Sequence, residues 1–114
     1  MPACDSAELA FENARVLDLV QAMFGAISPN MRAISLECVD GGVLLRFLLA
    51  EESEVDREEI DDILFEFEAL QERAIEIRSS VVVSSRPEAR VELPGRWVFG
   101  RKEEYPVPPG GDAA

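Results

Sequence analysis

Apolar residues recur at helical steps in two parts of this chain and alternate at two-residue steps between them. From Asp5 or Ser6 to about Phe24, the positions Leu9, Val16, Leu17, Val20, Met23 and Phe24 keep three- and four-residue spacing. That spacing predicts a first helix, with Gly25 as its stop. Ser28-Pro29-Asn30 predicts a turn, because Pro29 cannot continue a helix and Asn30 tolerates left-handed backbone angles. Over Arg32 to Val39 the period becomes two, with Ile34, Leu36 and Cys38 on one side and Ala33, Ser35 and Glu37 on the other. Val43 to Ala50 follows after Asp40-Gly41-Gly42, so two strands and a hairpin are expected. A loop at Asp40-Gly41 sets Leu36 opposite Leu45, whereas one at Gly41-Gly42 sets it opposite Phe47 and places Glu37 opposite Arg46. Either register keeps Ile34, Leu36, Leu45, Phe47 and Leu49 on one buried face.

A second helix is predicted from Ser53, whose hydroxyl can accept the backbone N–H near Asp56, to about Arg73. Ile60, Ile63, Leu64, Phe67, Leu70 and Ala74 form its core stripe, packing against Leu17, Val20, Leu36 and Phe47. Ile75, Ile77, Val81 and Val83 then alternate with Glu76, Arg78, Ser80 and Val82 as a third strand bounded by Ser84 to Pro87. Glu88 to Gly95 reads as a connection, and Arg96 to Lys102 as a shorter fourth strand. If that strand is regular, Trp97 and Phe99 share a face, as core residues. The element order α-β-β-α-β-β predicts an α+β two-layer sandwich, two helices on one face of a mainly antiparallel sheet of about four strands, with the other face open. Residues 1–105 form one domain, and 106–114, with three prolines and two glycines, a disordered tail.

Charge changes the picture at the second helix. Glu51 to Glu72 carries eleven carboxylates in 22 residues against one base, Arg57, and so accounts for minus ten of the net minus twelve of the 114-residue chain. Without the apolar stripe, a run this dense would read as disordered. At about 100° per residue, Glu54, Glu58, Asp61, Asp62, Glu68 and Glu72 share the face opposite the stripe, and Phe65 falls among them. An aromatic ringed by carboxylates either anchors a protein interface or packs beneath the tail or a neighbouring loop. The acidic balance argues against nucleic acid or an anionic membrane surface as partner and favours a basic protein.

Candidate chemistry is sparse. Histidine is absent, no glycine-rich phosphate loop occurs, and the carboxylates are spread too evenly along the helix to converge on a metal, so neither metal nor cofactor is expected. Asp61 and Asp62 are adjacent, yet neighbouring helical residues point about 100° apart, which is poor geometry for acid–base work. Cys4 and Cys38 show no metal-ligand spacing or disulfide framework and read as structural thiols. Arg32, Arg46 and Arg78 are expected to pair with acids or lie on the open sheet face, and Tyr105 either tethers the tail or is exposed. No basic-plus-apolar leader and no run of eighteen apolar residues is found, so the expected location is the cytoplasm.

The run Phe24-Gly25-Ala26-Ile27-Ser28-Pro29-Asn30-Met31-Arg32-Ala33-Ile34-Ser35 is followed by the Asp-Gly-Gly hairpin, the helix ending Phe65-Glu66-Phe67-Glu68-Ala69-Leu70 and a late strand reaching Arg101-Lys102-Glu103. Together they resemble bacterial immunity proteins of contact-dependent inhibition and related polymorphic-toxin systems, over about Leu9 to Glu103. The resemblance implies a small cytoplasmic antidote, without catalysis, that binds a cognate toxin domain, often a nuclease, and blocks its active site or an essential surface. Such proteins diversify where they touch the toxin, so no contact residue carries over. A rigid acidic face suits the basic cleft of a nuclease. The expected function is therefore stoichiometric neutralisation of a basic toxin domain through Glu54, Glu58, Asp61, Asp62, Phe65, Glu68 and Glu72. The alternatives are a non-catalytic adaptor or homodimer whose acidic helix confers solubility, and a small enzyme.

Overall fold

The central alternation forms an antiparallel hairpin in the computed structural model, which describes residues 6–103. Strands β1 (Met31–Val39) and β2 (Gly42–Leu49) pair with Leu36 opposite Leu45 and Ser35 opposite Arg46, so the loop is Asp40-Gly41. Both loop residues have positive φ, 42° and 80°, matching the twist of a tight hairpin. Helix α1 (Ser6–Met23) precedes the hairpin; α2 (Glu54–Ala69), β3 (Ile77–Val83), a 3-10 turn (Pro87–Ala89) and β4 (Arg96–Gly100) follow it. The strand order is β3-β2-β1-β4. Both neighbours of β1 run antiparallel to it, while β3 is parallel to β2, because α2 carries the chain back before β3 begins. The fold is thus the expected α+β arrangement of two helices on a mostly antiparallel four-stranded sheet. Cys4, Tyr105 and the 106–114 segment lie outside the described residues.

The core lies between the helices and one sheet face. Ile34, Leu36, Val43, Leu45, Phe47 and Leu49 meet Ile60, Ile63 and Phe67 of α2 and Leu19, Ala22 and Met23 of α1. Phe47 and Phe67 have no exposed surface, and burying a side chain of that size contributes about 1.5–3 kcal/mol. The α2 stripe is as expected at Ile60, Ile63 and Phe67, with Leu64 and Leu70 partly buried, but the helix ends at Ala69 and leaves Ala74 exposed.

Helix α1 presents a different side from the one its spacing suggested. Leu17 is 69 % exposed, Val20 46 %, Leu9 45 % and Phe24 91 %, whereas Leu19, Ala22 and Met23 are buried and Val16 lies at the margin. Apolar residues occupy more than one side of α1, and the sheet takes the side carrying Leu19.

Three further departures share one cause, irregular backbone. A bulge falls between Met31 and Ala33, and Arg32 there is paired with an acid, as expected, but buried at 3 % exposure rather than at the surface. Its guanidinium donates to both carboxylate oxygens of Glu103 (2.8 and 2.9 Å) and to the carbonyls of Ser84 (2.7 Å) and Arg86 (2.8 Å). A second bulge, at Val98, shifts the register of β4 against β1, and Trp97 and Phe99 do not share a face. Phe99 and Val98 pack on the main core, while the Trp97 indole donates to the Leu93 carbonyl at 3.2 Å and lies 5.2 Å from the Arg90 guanidinium. Thirdly, the connection after β3 folds over the far sheet face. Ala89 and Leu93 form a small second core with Ala33 and Leu48, and the Ser35 hydroxyl donates to the Pro94 carbonyl at 2.7 Å. That face is therefore partly covered, and Arg46 is held there by Glu37 (2.8 Å) and the Pro94 carbonyl (3.3 Å).

Denaturant unfolding should separate the two sides of the helical layer. Phe67→Ala is expected to cost about 3–5 kcal/mol, and Phe65→Ala or Leu17→Ala within roughly 0.5–1 kcal/mol of nothing. The Arg32 hydrogen bonds, reinforced by Arg101 and opposed by burial, hold the Glu103 carboxyl at about 2, below its ordinary 4.5. A depressed carboxylate pKa stabilises the fold above the unfolded value, and that stability is lost as pH falls from about 4.5 toward 2. The stability difference between the native chain and Glu103→Gln should thus be about 3 kcal/mol at neutral pH and vanish near pH 2.

Candidate functional site

Helix α2 is set in place at its first turn. Ser53 is the N-cap, with extended backbone (φ −150°, ψ 118°), and its hydroxyl accepts the Asp56 N–H at 3.1 Å. Asp56 is only 4 % exposed and accepts from the Asn30 side-chain amide at 2.8 Å. The same Asn30 amide group donates to the Glu51 carbonyl (2.8 Å) and accepts the Glu51 N–H (2.9 Å). Asn30 therefore serves through its side chain, clamping the turn after α1 to the start of α2; its backbone φ is not positive. At the other end, Gln71 donates to Asp18 of α1 at 3.1 Å. Pinned at both ends, α2 holds its outer side in a fixed orientation.

That outer side carries what was expected of it. Glu54, Glu58, Asp61, Asp62, Phe65 and Glu68 are all exposed along α2, and Phe65 is 69 % exposed, so it is not packed under a loop. Glu72 is exposed as well but lies beyond the Leu70 C-cap, off the helix. Among the described residues none of these six carboxylates is in an ion pair; Arg15, Arg32, Arg46, Arg57, Arg78, Arg86, Arg96 and Arg101 are engaged by Glu12, Asp18, Glu37, Glu52, Glu76, Glu88, Glu92 and Glu103. Arg57, the one base in the acidic run, is drawn off the face by a two-point contact with Glu52 (2.6 and 2.8 Å), which holds the Glu52 carboxyl below its ordinary range.

A neighbouring feature escaped the sequence reading. Leu17 and Val20 sit at i and i+3, hence on one side of α1, Phe24 follows directly after its last residue, and all three are exposed. Leu17 and Val20 are expected against the α2 stripe, and the structure exposes both. The available signal was the second apolar stripe through Leu19 and Ala22, which competes for the sheet. The outer surface of the helical layer thus combines an apolar ridge on α1 with a carboxylate field centred on Phe65 on α2.

Among the described residues no group of three metal-capable side chains converges. One hollow of about 440 Å³ is lined by Arg32 and Glu103, whose charges are engaged with each other. Another of similar volume lies beside Cys38, whose thiol is pushed up by burial and by Glu12. No described helix is long and apolar enough to cross a membrane.

The sequence model of the MafI2 immunity protein family matches residues 12–103, a span that holds most of α1 and all the other elements. The chain belongs to this family. No curated protein matches it. A MafI2 immunity protein implies a toxin protein as its partner.

Six unpaired carboxylates on one surface repel one another, with Glu54/Glu58 and Glu58/Asp62 at i,i+4. Added salt should therefore raise the melting temperature. Replacing Asp61 and Asp62 together by lysine should leave the fold intact and stabilise it slightly, by roughly 0.2–0.5 kcal/mol per relieved pair, as read by thermal unfolding at low salt.

Proposed function

We propose that this MafI2-family protein neutralises its cognate toxin by one-to-one binding in the cytoplasm, with the outer surface of the helical layer as contact. The observation that carries this reading is Phe65, 69 % exposed in the midst of carboxylates that have no counter-ions among the described residues. Such a field is unfavourable in the free protein and favourable against a cationic surface, which makes a basic toxin domain the best-suited partner. Phe65 supplies the apolar centre, and Leu17, Val20 and Phe24 extend it. If the toxin is a nuclease, the carboxylates would lie where substrate phosphates otherwise bind. Neutralisation then needs no chemistry from the antidote.

The test is binding kinetics and protection with the toxin domain encoded beside this protein. Association should slow steeply as salt rises from about 20 to about 150 mM, with dissociation little changed, because screening acts on charges still apart. Asp61→Lys with Asp62→Lys should lower the association rate at least tenfold. Phe65→Ala should raise the dissociation rate by about 30-fold, the equivalent of roughly 2 kcal/mol. Full protection by all of these variants would move the contact off α2; failure to bind any adjacent toxin domain would remove the function itself.

A further inference from the structure

The two edges of the sheet are treated differently. Strand β4 is five residues long, bulged at Val98 and followed by Arg101 and Lys102, features that discourage pairing with another chain. Strand β3, the opposite edge, has seven residues, Ile77-Arg78-Ser79-Ser80-Val81-Val82-Val83, with no proline, no bulge and a single charge, in a chain that is 30 % charged. Its ladder also shows which groups are free. The Val43 N–H bonds the Glu76 carbonyl and the Ser84 N–H bonds the Leu49 carbonyl, both at 2.9 Å, with Val43 opposite Ile77 and Leu49 opposite Val83. In a parallel ladder of that register, Arg78, Ser80 and Val82 direct their backbone groups to β2. Ile77, Ser79, Val81 and Val83 direct theirs outward, where they meet no partner among the described residues.

We propose that β3 is a dimerisation edge, joined antiparallel to the β3 of a second copy about a two-fold axis at Ser80. In this register all four outward residues meet outward residues, Ile77 with Val83 and Ser79 with Val81, giving about eight new backbone hydrogen bonds and a continuous eight-stranded sheet. The side chains agree with it. Arg78 comes opposite Val82 and never opposite its own copy, Ser80 meets Ser80, and Ile77 and Val81 extend the apolar face beneath α2. The chain's own residues 104–114 are a poor substitute occupant, since Pro106, Pro108 and Pro109 donate no hydrogen bond. The outer surface of the helical layer stays free, so the dimer would carry two toxins and keep the one-to-one ratio.

Sedimentation equilibrium of the full chain tests this. The expected mass is twice the 12.6 kDa of the monomer at micromolar concentration. Because each copy carries minus twelve, dimerisation should tighten several-fold between about 20 and about 300 mM salt, opposite to the salt effect on toxin association. Ser79→Pro removes an outward donor while leaving the ladder to β2 intact, and should give a folded monomer. Ser80→Cys, in a Cys4→Ser, Cys38→Ala background, should cross-link to a reducible dimer under mild oxidation, since the axis brings the two sites within disulfide range. The cross-link decides the matter if Ser79→Pro fails to fold. A native chain that is monomeric at all concentrations, a folded Ser79→Pro that remains dimeric, or absence of the cross-link would each overturn the proposal. So would a native monomer whose protection against toxin is abolished by Ser79→Pro, which would assign the edge to a toxin strand.

Discussion

Ile60, Ile63 and Phe67 reach the core face of the sheet in only one rotation of α2, and that rotation decides where every other side chain of the helix goes. A slip of one residue would turn Arg57, Asp61 and Glu68 toward the sheet, leaving charges buried without partners at a cost of several kcal/mol. The apolar stripe and the carboxylates therefore enforce the same orientation from opposite sides. The Asn30–Asp56 hydrogen bond and the Ser53 cap fix the position of the helix along its axis, which the stripe alone would leave loose. A fixed surface of like charge on a small domain depends on all of these acting together.

This arrangement also explains how much was legible beforehand. For α2, polar and apolar residues divide cleanly, so periodicity located the Ser53 cap, the buried stripe and the exposed carboxylates, while Glu72 was lost because the helix stops a turn earlier. For α1 the division fails. Leu9, Phe11, Val16, Leu17, Leu19, Val20, Met23 and Phe24 offer overlapping stripes, and only the shape of the sheet and of α2 selects the one through Leu19. The burial of Arg32 and the separate faces of Trp97 and Phe99 escape the pattern for a different reason. A bulge adds one residue to one strand and reverses the side-chain alternation beyond it, and no local residue pattern announced either bulge. The cover over the second face rests on Ala89 and Leu93, too few apolar residues to register as an element.

The Arg32–Glu103 contact belongs to this second class of long-range features. It joins the start of β1 to the residues after β4 and, through the Ser84 and Arg86 carbonyls, to the connection after β3. Three segments far apart in the chain close on one guanidinium. Its geometry leaves the buried charge fully engaged, which is the condition under which such a pair supports a fold. The family match, ending at residue 103, encloses both partners of this contact.

The exposed residues of α1 acquire a meaning when they are considered with the charge. Phe24 at 91 % and Leu17 at 69 % exposure would invite non-specific association on a neutral protein. The carboxylates of the helical layer repel the same layer of another copy, or any acidic protein, before those side chains can touch. Repulsion of this kind is lifted only by a partner whose surface is positive, and for that partner the apolar ridge becomes available. Under the proposed contact, charge decides which proteins come close and the apolar residues decide how long they stay. The two selections are made by different groups, so discrimination can change at the carboxylates without disturbing the core on which α2 rests.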